Sequence, residues 1–177
     1  MIFLGAAHLQ RLFAGDVTMS DAKVPIAVVA ANSPLRKTRS NYPEPFFSRM
    51  GKREKRVLGD QFGLKNFGVN LTTLAPGGES ALMHRHSQQD EFIYVLGGTP
   101  TLVTDQGEVV LSPGMCAGFP AMGLAHQLVN RSGADATYLE MGDRTLGDEG
   151  TYPVDDLAAT LGPDGKWVFT RKDGAAY

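Results

Sequence analysis

The chain has one cysteine in 177 residues, Cys116, so no intrachain disulfide can form and folding needs no oxidising compartment. Long apolar runs are also missing. Ile26–Ala31 is among the longest, far short of the roughly 18 residues that a membrane span requires. Neither sign of charge dominates: a net charge of −2 offers no general attraction to nucleic acid or acidic membranes. The start of the chain, Met1–Gly15, lacks a basic stretch followed by a clean apolar one, because His8, Gln10 and Arg11 interrupt it; it makes a poor signal peptide. These absences together predict a cytoplasmic protein with neither a nucleic-acid nor a membrane partner. Between Val24 and Phe47 helix signals are scarce. Pro25, Pro34, Pro43 and Pro45 preclude helix there and favour extended segments lying over a surface.

What the chain does have is a concentration of metal-ligand chemistry. It holds only four histidines, and three of them fall in one pattern: His84-Arg85-His86, then Glu91, then His126. On a strand, an H-x-H places both imidazoles on one face, because side chains alternate with period two. The same alternation turns Arg85 away from them. Three neutral imidazoles and a carboxylate suit a divalent transition metal of the Mn, Fe, Co, Ni or Zn group, and leave about two positions open in an octahedral site. Asp90 is the alternative carboxylate. His8 lies far outside the pattern.

From residue 67 onward the sequence reads as strands and turns. Phe67–Leu74 alternates and ends at Pro76-Gly77-Gly78; Glu91–Leu96 is another strand; Thr101–Thr104 and Glu108–Leu111 flank the turn Asp105-Gln106-Gly107. Cys116–Phe119, Ala125–Asn130 and Ala136–Met141 follow, and a last hairpin is predicted around Gly162–Gly165 with Lys166–Thr170 as its second strand. Short strands at this spacing, with Gly and Pro between them, indicate a sandwich or barrel. If Glu91 points inward, so do Ile93 and Val95, while Phe92 and Tyr94 face the other way. Leu124 and Leu128 should accompany His126, which puts the metal in a mostly apolar barrel. Cys116 reads as a small buried filler, the basic cluster Gly51–Arg56 as a solvated loop or strand edge, and Glu140 as either a barrel-facing base or an exposed strand residue.

The histidine pattern also carries a resemblance. Gly78, five residues, His84-Arg85-His86, four residues, Glu91, six residues and Gly98 resemble the first motif of the cupin superfamily. Gly114, Pro120, Gly123, His126 and Asn130 resemble the second, with two residues rather than one between Pro120 and Gly123. Gly98 completes the first frame only if Glu91 is the carboxylate, which favours it over Asp90. The flanks, including Asn41–Phe47, Tyr138-Leu139-Glu140 and Lys172-Asp173-Gly174, are similar to small single-domain bacterial cupins of unassigned activity.

The resemblance implies an all-β fold, a double-stranded β-helix (jelly-roll) barrel with an extended N-terminal segment. It also implies a metal site of His84, His86, Glu91 and His126, a small-molecule ligand or substrate, and a homodimer paired through sheet edges. The organisation expected is an N-terminal extension over 1–23, with Met19 a possible true start or the stretch before it a short amphipathic helix. An extended arm with edge strands covers 24–60, the barrel core with both motifs 61–145, and a tail with a hairpin packed on the barrel 146–177. The function expected is a small metalloenzyme acting on a keto- or hydroxy-acid or sugar derivative, or using dioxygen. A ligand-sensing cupin without turnover is the alternative. No residue stands out as a general acid or base.

Overall fold

The structure, a computed structural model, describes residues 24–177. The expectations for residues 1–23, a late start at Met19 or an amphipathic helix, lie outside the described residues, as does His8. Twelve strands are present among the described residues: β1 (Arg53–Val57), β2 (Phe67–Leu74), β3 (Arg85–His86), β4 (Glu91–Gly97), β5 (Thr101–Thr104), β6 (Gly107–Val110), β7 (Cys116–Phe119), β8 (His126–Val129), β9 (Ala136–Asp143), β10 (Glu149–Thr151), β11 (Ala158–Leu161) and β12 (Trp167–Thr170). One face of the jelly roll is the five-stranded sheet β1-β2-β9-β4-β7. The other is built from a three-stranded sheet, β6-β5-β8, and a four-stranded one, β12-β11-β10-β3. The segment leading into β3 joins β8 through two antiparallel bridges, Glu79 to Val129 and His84 to His126, the second closed by His84 N–H donating to the His126 carbonyl at 3.1 Å and the reverse bond at 2.8 Å.

Period-two alternation decides what fills the space between the faces. On β4, Ile93 and Val95 are buried while Phe92, Tyr94 and Leu96 stay exposed, as the inward setting of Glu91 requires. Ile93 and Val95 join Leu74, Leu102, Leu111, Phe119, Leu128 and Tyr138 in one apolar cluster. A second cluster, Phe46, Met50, Leu82, Tyr152, Leu157 and Ala159, ties the arm and the C-terminal strands together.

Two motif glycines are fixed by close backbone approach. A Cβ on Gly98 would lie 2.7 Å from the Ala136 Cα, and Gly98 sits at φ 73°, a conformation that costs any other L-residue strain. Gly98→Ala is therefore expected to lower unfolding stability by about 3 kcal/mol or more, read as a fall in the urea midpoint at unchanged slope. A Cβ on Gly78 would meet the Lys52 carbonyl at 2.7 Å and the Ala75 carbonyl at 2.9 Å. Beside it, Gly78 accepts the Asn130 N–H at 2.9 Å, which ties the start of the first motif to the end of the second. Asn130 is fully buried and spends its amide on the carbonyls of Leu74 and Ala134.

Several expectations are corrected. The proline-rich arm is not free of helix: Ala30–Asn32 forms a 3-10 turn and Phe46–Arg49 one turn of α-helix, because the prolines sit before these turns rather than inside them. Of the two readings of Gly51–Arg56, the strand edge holds and the solvated loop does not, since β1 ends its sheet. Arg53–Val57 is a sheet strand with Arg53 buried. The arm covers its edge, through a bridge from Leu35 to Arg56 and a hydrogen bond from Arg36 N–H to the Lys55 carbonyl. Cys116 is exposed, not a buried filler, because β7 is an edge strand and Cys116 pairs with the outward Tyr94. Past Gly142, β10 and β11 form strands where few strand signals were read. No helix among the described residues is long and apolar enough to cross a membrane.

Candidate metal centre

The seam between the two smaller sheets positions the histidines. β3 pairs with β10, and residue 84 just before it bridges to β8, so His84, His86 and His126 come together from adjacent strands. Glu91, at the start of β4, approaches from the opposite face. Its Oε2 lies 3.4 Å from Nε2 of His84, 3.4 Å from Nε2 of His86 and 3.1 Å from Nε2 of His126. One ligand atom each from His84, His86 and Glu91 lie within 4.8 Å of one another, a group that could hold a metal ion.

The far side of each ring fixes its chemistry. His84 Nδ1 lies 2.8 Å from the Leu82 carbonyl, His86 Nδ1 2.5 Å from Asp148 Oδ2, and His126 Nδ1 3.3 Å from the Leu124 carbonyl. All three partners accept hydrogen bonds, so each Nδ1 carries the proton and each Nε2 turns a lone pair inward. Glu91 Oε2 is buried without a hydrogen-bond partner. Four electron-pair donors converging on one point could hold a cation between them, and that donor set fits a divalent transition metal. Protons are the competitor. Burial alone would push the Glu91 carboxyl up, but the facing imidazoles of His126 and His84, where they carry a proton on Nε2, pull it well below the usual carboxylate range. Burial also opposes charge on His84, yet Glu91 outweighs it and raises that imidazole above its ordinary value.

Asp148, which the sequence reading missed, stands directly behind the cluster. It is fully buried, and while Oδ2 orients His86, Oδ1 takes hydrogen bonds from Ser87 Oγ at 3.1 Å and Gln88 N at 2.7 Å. A carboxylate behind a ligand imidazole fixes its tautomer and raises its basicity. The alternative carboxylate, Asp90, is engaged elsewhere, accepting the Ala121 N–H at 2.7 Å. The extra residue between Pro120 and Gly123 is absorbed by Met122, which adopts φ 59° and donates its N–H to the His86 carbonyl at 2.8 Å. Arg85 points away, toward Asp105 at 4.0 Å.

The cluster opens into a cavity of about 400 Å³. Its wall departs from the mostly apolar barrel expected. Arg36, Arg53, Lys55, Asn70 and Glu140 line it, together with Tyr42, Trp167 and Phe169. The polar wall went unread because the inward positions of β1 and of the middle of β9 carry charges rather than the alternating apolar residues of β4. Glu140 does face the cavity, and its Oε1 accepts from Lys55 Nζ at 2.5 Å and Asn70 Nδ2 at 2.9 Å. Burial lowers the Lys55 ammonium, and the Glu140 charge partly offsets that.

Comparison with known proteins agrees with this architecture. A family model described as a cupin domain matches residues 70–142. A sugar phosphate isomerase of the cupin superfamily from Silicibacter pomeroyi DSS-3 is 45% identical, with 78% of this chain and 88% of that one covered at a TM-score of 0.74. A protein from Acidithiobacillus ferrooxidans with a provisional sugar phosphate isomerase assignment is 30% identical, with 71% of this chain and 80% of that one covered at a TM-score of 0.64. The polyketide cyclase RemF from Streptomyces resistomycificus, 22% identical at a TM-score of 0.54 with 66% of this chain and 78% of that one covered, shares the fold. No curated protein matches. The chain belongs to the cupin superfamily.

Proposed function

We propose that this chain is a metal-dependent isomerase of a small phosphorylated sugar, with His84, His86, Glu91 and His126 as the ligands of a divalent ion of the Mn, Fe, Co, Ni or Zn group. The observation that carries the reading is that the ligand cluster and a cation-bearing polar wall open into the same cavity. The likeness to the isomerase from Silicibacter pomeroyi supports it. A bound ion would act as a Lewis acid on the carbonyl and hydroxyl oxygens of the sugar.

The rest falls to side chains of the chain. Asp148 keeps His86 in the tautomer that ligates. Tyr42, Trp167 and Phe169 give the sugar an apolar wall and restrict water. Glu140 is the base: one oxygen is held by Lys55 and Asn70, and the other makes no hydrogen bond among the described residues. It takes the proton from the hydroxyl-bearing carbon next to the carbonyl and returns it to the former carbonyl carbon, while the hydroxyl proton passes to the former carbonyl oxygen. That transfer interconverts aldose and ketose with no net oxidation and no external electron acceptor.

The test is a panel of aldose and ketose phosphates incubated in D₂O with protein reconstituted with each metal in turn and followed by NMR. Interconversion with deuterium entering at the carbon next to the carbonyl is expected. Stoichiometric metal with neither exchange nor product across the panel would refute the isomerase, and ligand binding without turnover would favour the sensing alternative.

A further inference from the structure

We propose that Arg36, Arg53 and Lys55 form the subsite that takes the phosphate of the substrate, with Arg36 delivered by the N-terminal arm; the substrate class rests on the isomerase reading above. Arg53 and Lys55 are two apart on β1 and pair with Leu74 and Thr72 of β2, both fully buried, so their side chains share the inner face. The arm adds the third cation. Its hydrogen bond from Arg36 N–H to the Lys55 carbonyl, 2.8 Å, anchors the backbone of Arg36 beside Lys55. All three side chains line the cavity that holds the ligand cluster.

The charges of this wall do not cancel. Among the described residues lining the cavity, the carboxylates are Glu91, Glu140 and Asp143. Glu91 belongs to the ligand cluster. Asp143 accepts backbone N–H groups of Asp90 and Thr145, and the neighbouring Arg144 pairs with Asp60 at 2.5 Å. Three cations therefore face one carboxylate, Glu140, and the surplus of two positive charges equals the charge of a phosphate monoester dianion.

A structural network would pair each of these groups, and this one does not. Arg53 is only 7% exposed. Its terminal nitrogens donate to the carbonyls of Ser80 and Arg39, but its Nε is buried with no partner among the described residues. An unpaired donor on a buried guanidinium is costly unless a ligand completes it. Arg36 spends one nitrogen on Asn41 at 2.9 Å, and both burial and the charge of Arg53 lower it from its usual value. Guanidinium groups in this setting recognise phosphate by two parallel hydrogen bonds.

Calorimetric titration of inorganic phosphate, with acetate as the monoanionic comparison, tests the subsite at low ionic strength on wild type and Arg36→Met of equal metal content. Equal metal content cancels phosphate bound directly by the ion. Wild type is expected to bind phosphate more tightly than acetate, and Arg36→Met to lose about tenfold in phosphate affinity with an unchanged melting temperature, since among the described residues its side chain bonds only Asn41. Arg36→Lys should recover part of the loss. A paired Lys55→Met, Glu140→Gln variant, which removes the cation together with its counter-charge, should weaken phosphate comparably.

The kinetic arm separates this proposal from the isomerase reading. If wild type turns over sugar phosphates and Arg36→Met leaves KM unchanged, the subsite is wrong and the isomerase stands. If Arg36-dependent phosphate binding occurs with no isomerisation in any panel member, the subsite stands and the isomerase falls. Acetate bound as tightly as phosphate overturns the phosphate assignment.

Discussion

His86→Ala protein purified without chelator and reconstituted with each candidate metal should retain far less metal than wild type. Its loss of affinity should exceed the roughly 100-fold upper range for removing a partner behind a ligand. The expectation follows from how the ring is held. Asp148 fixes Nδ1 at 2.5 Å and the Nε2 lone pair faces Glu91 Oε2 at 3.4 Å, a position that the substitution leaves without a ligand atom. Asp148→Asn should fall between the two, at about 10- to 100-fold, because the ligand remains but loses the acceptor that orients it. Metal analysis by mass spectrometry after gel filtration reads all three proteins. A His86→Ala chain that keeps wild-type metal would show the ligand set to be misassigned. Acid should release the ion from wild type as well. Protons compete for the same Nε2 lone pairs, so affinity falls as pH drops through the imidazole range near about 6.5. Because Glu91 raises His84 above its ordinary value, that competition begins at higher pH than for a free histidine.

Glu140→Gln should lower kcat for sugar-phosphate isomerisation by about 10²- to 10⁴-fold while metal content stays near wild type, with some loss of melting temperature because Lys55 loses its counter-charge. The substitution is chosen for what it preserves. A glutamine carbonyl oxygen can still accept from Lys55 and Asn70, where Glu140 Oε1 now sits, but it cannot take a proton from carbon. Deuterium exchange into the substrate should fall in step with turnover. Turnover within a few-fold of wild type, with intact metal, would remove Glu140 from the chemistry and leave it a counter-charge for Lys55.

Legibility in the sequence followed the range of the interaction concerned. Strands β2, β5 and β7 were readable to the residue, because alternation and flanking Gly or Pro act within a few positions. The four clustered residues were readable because H-x-H geometry is local and the two motifs bring their own spacing. Asp148 was not, since it meets His86 across 62 positions of chain and nothing near either residue announces the pair. Arg53 and Lys55 were misread for a related reason. A run of basic residues has the composition of a solvated edge, and only the pairing of β1 with β2 turns alternate members of it into the cavity. Cys116 shows the reverse error: it pairs with the outward Tyr94, so alternation turns it to solvent while Phe119 of the same strand joins the core.

The bridge between His84 and His126 gives the centre a mechanical side. Two of the four converging donors sit on a rung that ties the segment leading into β3 to β8, so the spacing of their rings and the gap at that rung change together. Any widening of the barrel at that rung pulls His84 from His126, and any cation that draws the rings together clamps the barrel wall shut. The amide protons of these two histidines, bonded to each other's carbonyls, are thus a built-in strain gauge: their rate of exchange with solvent reports, residue by residue, how firmly the centre is being held.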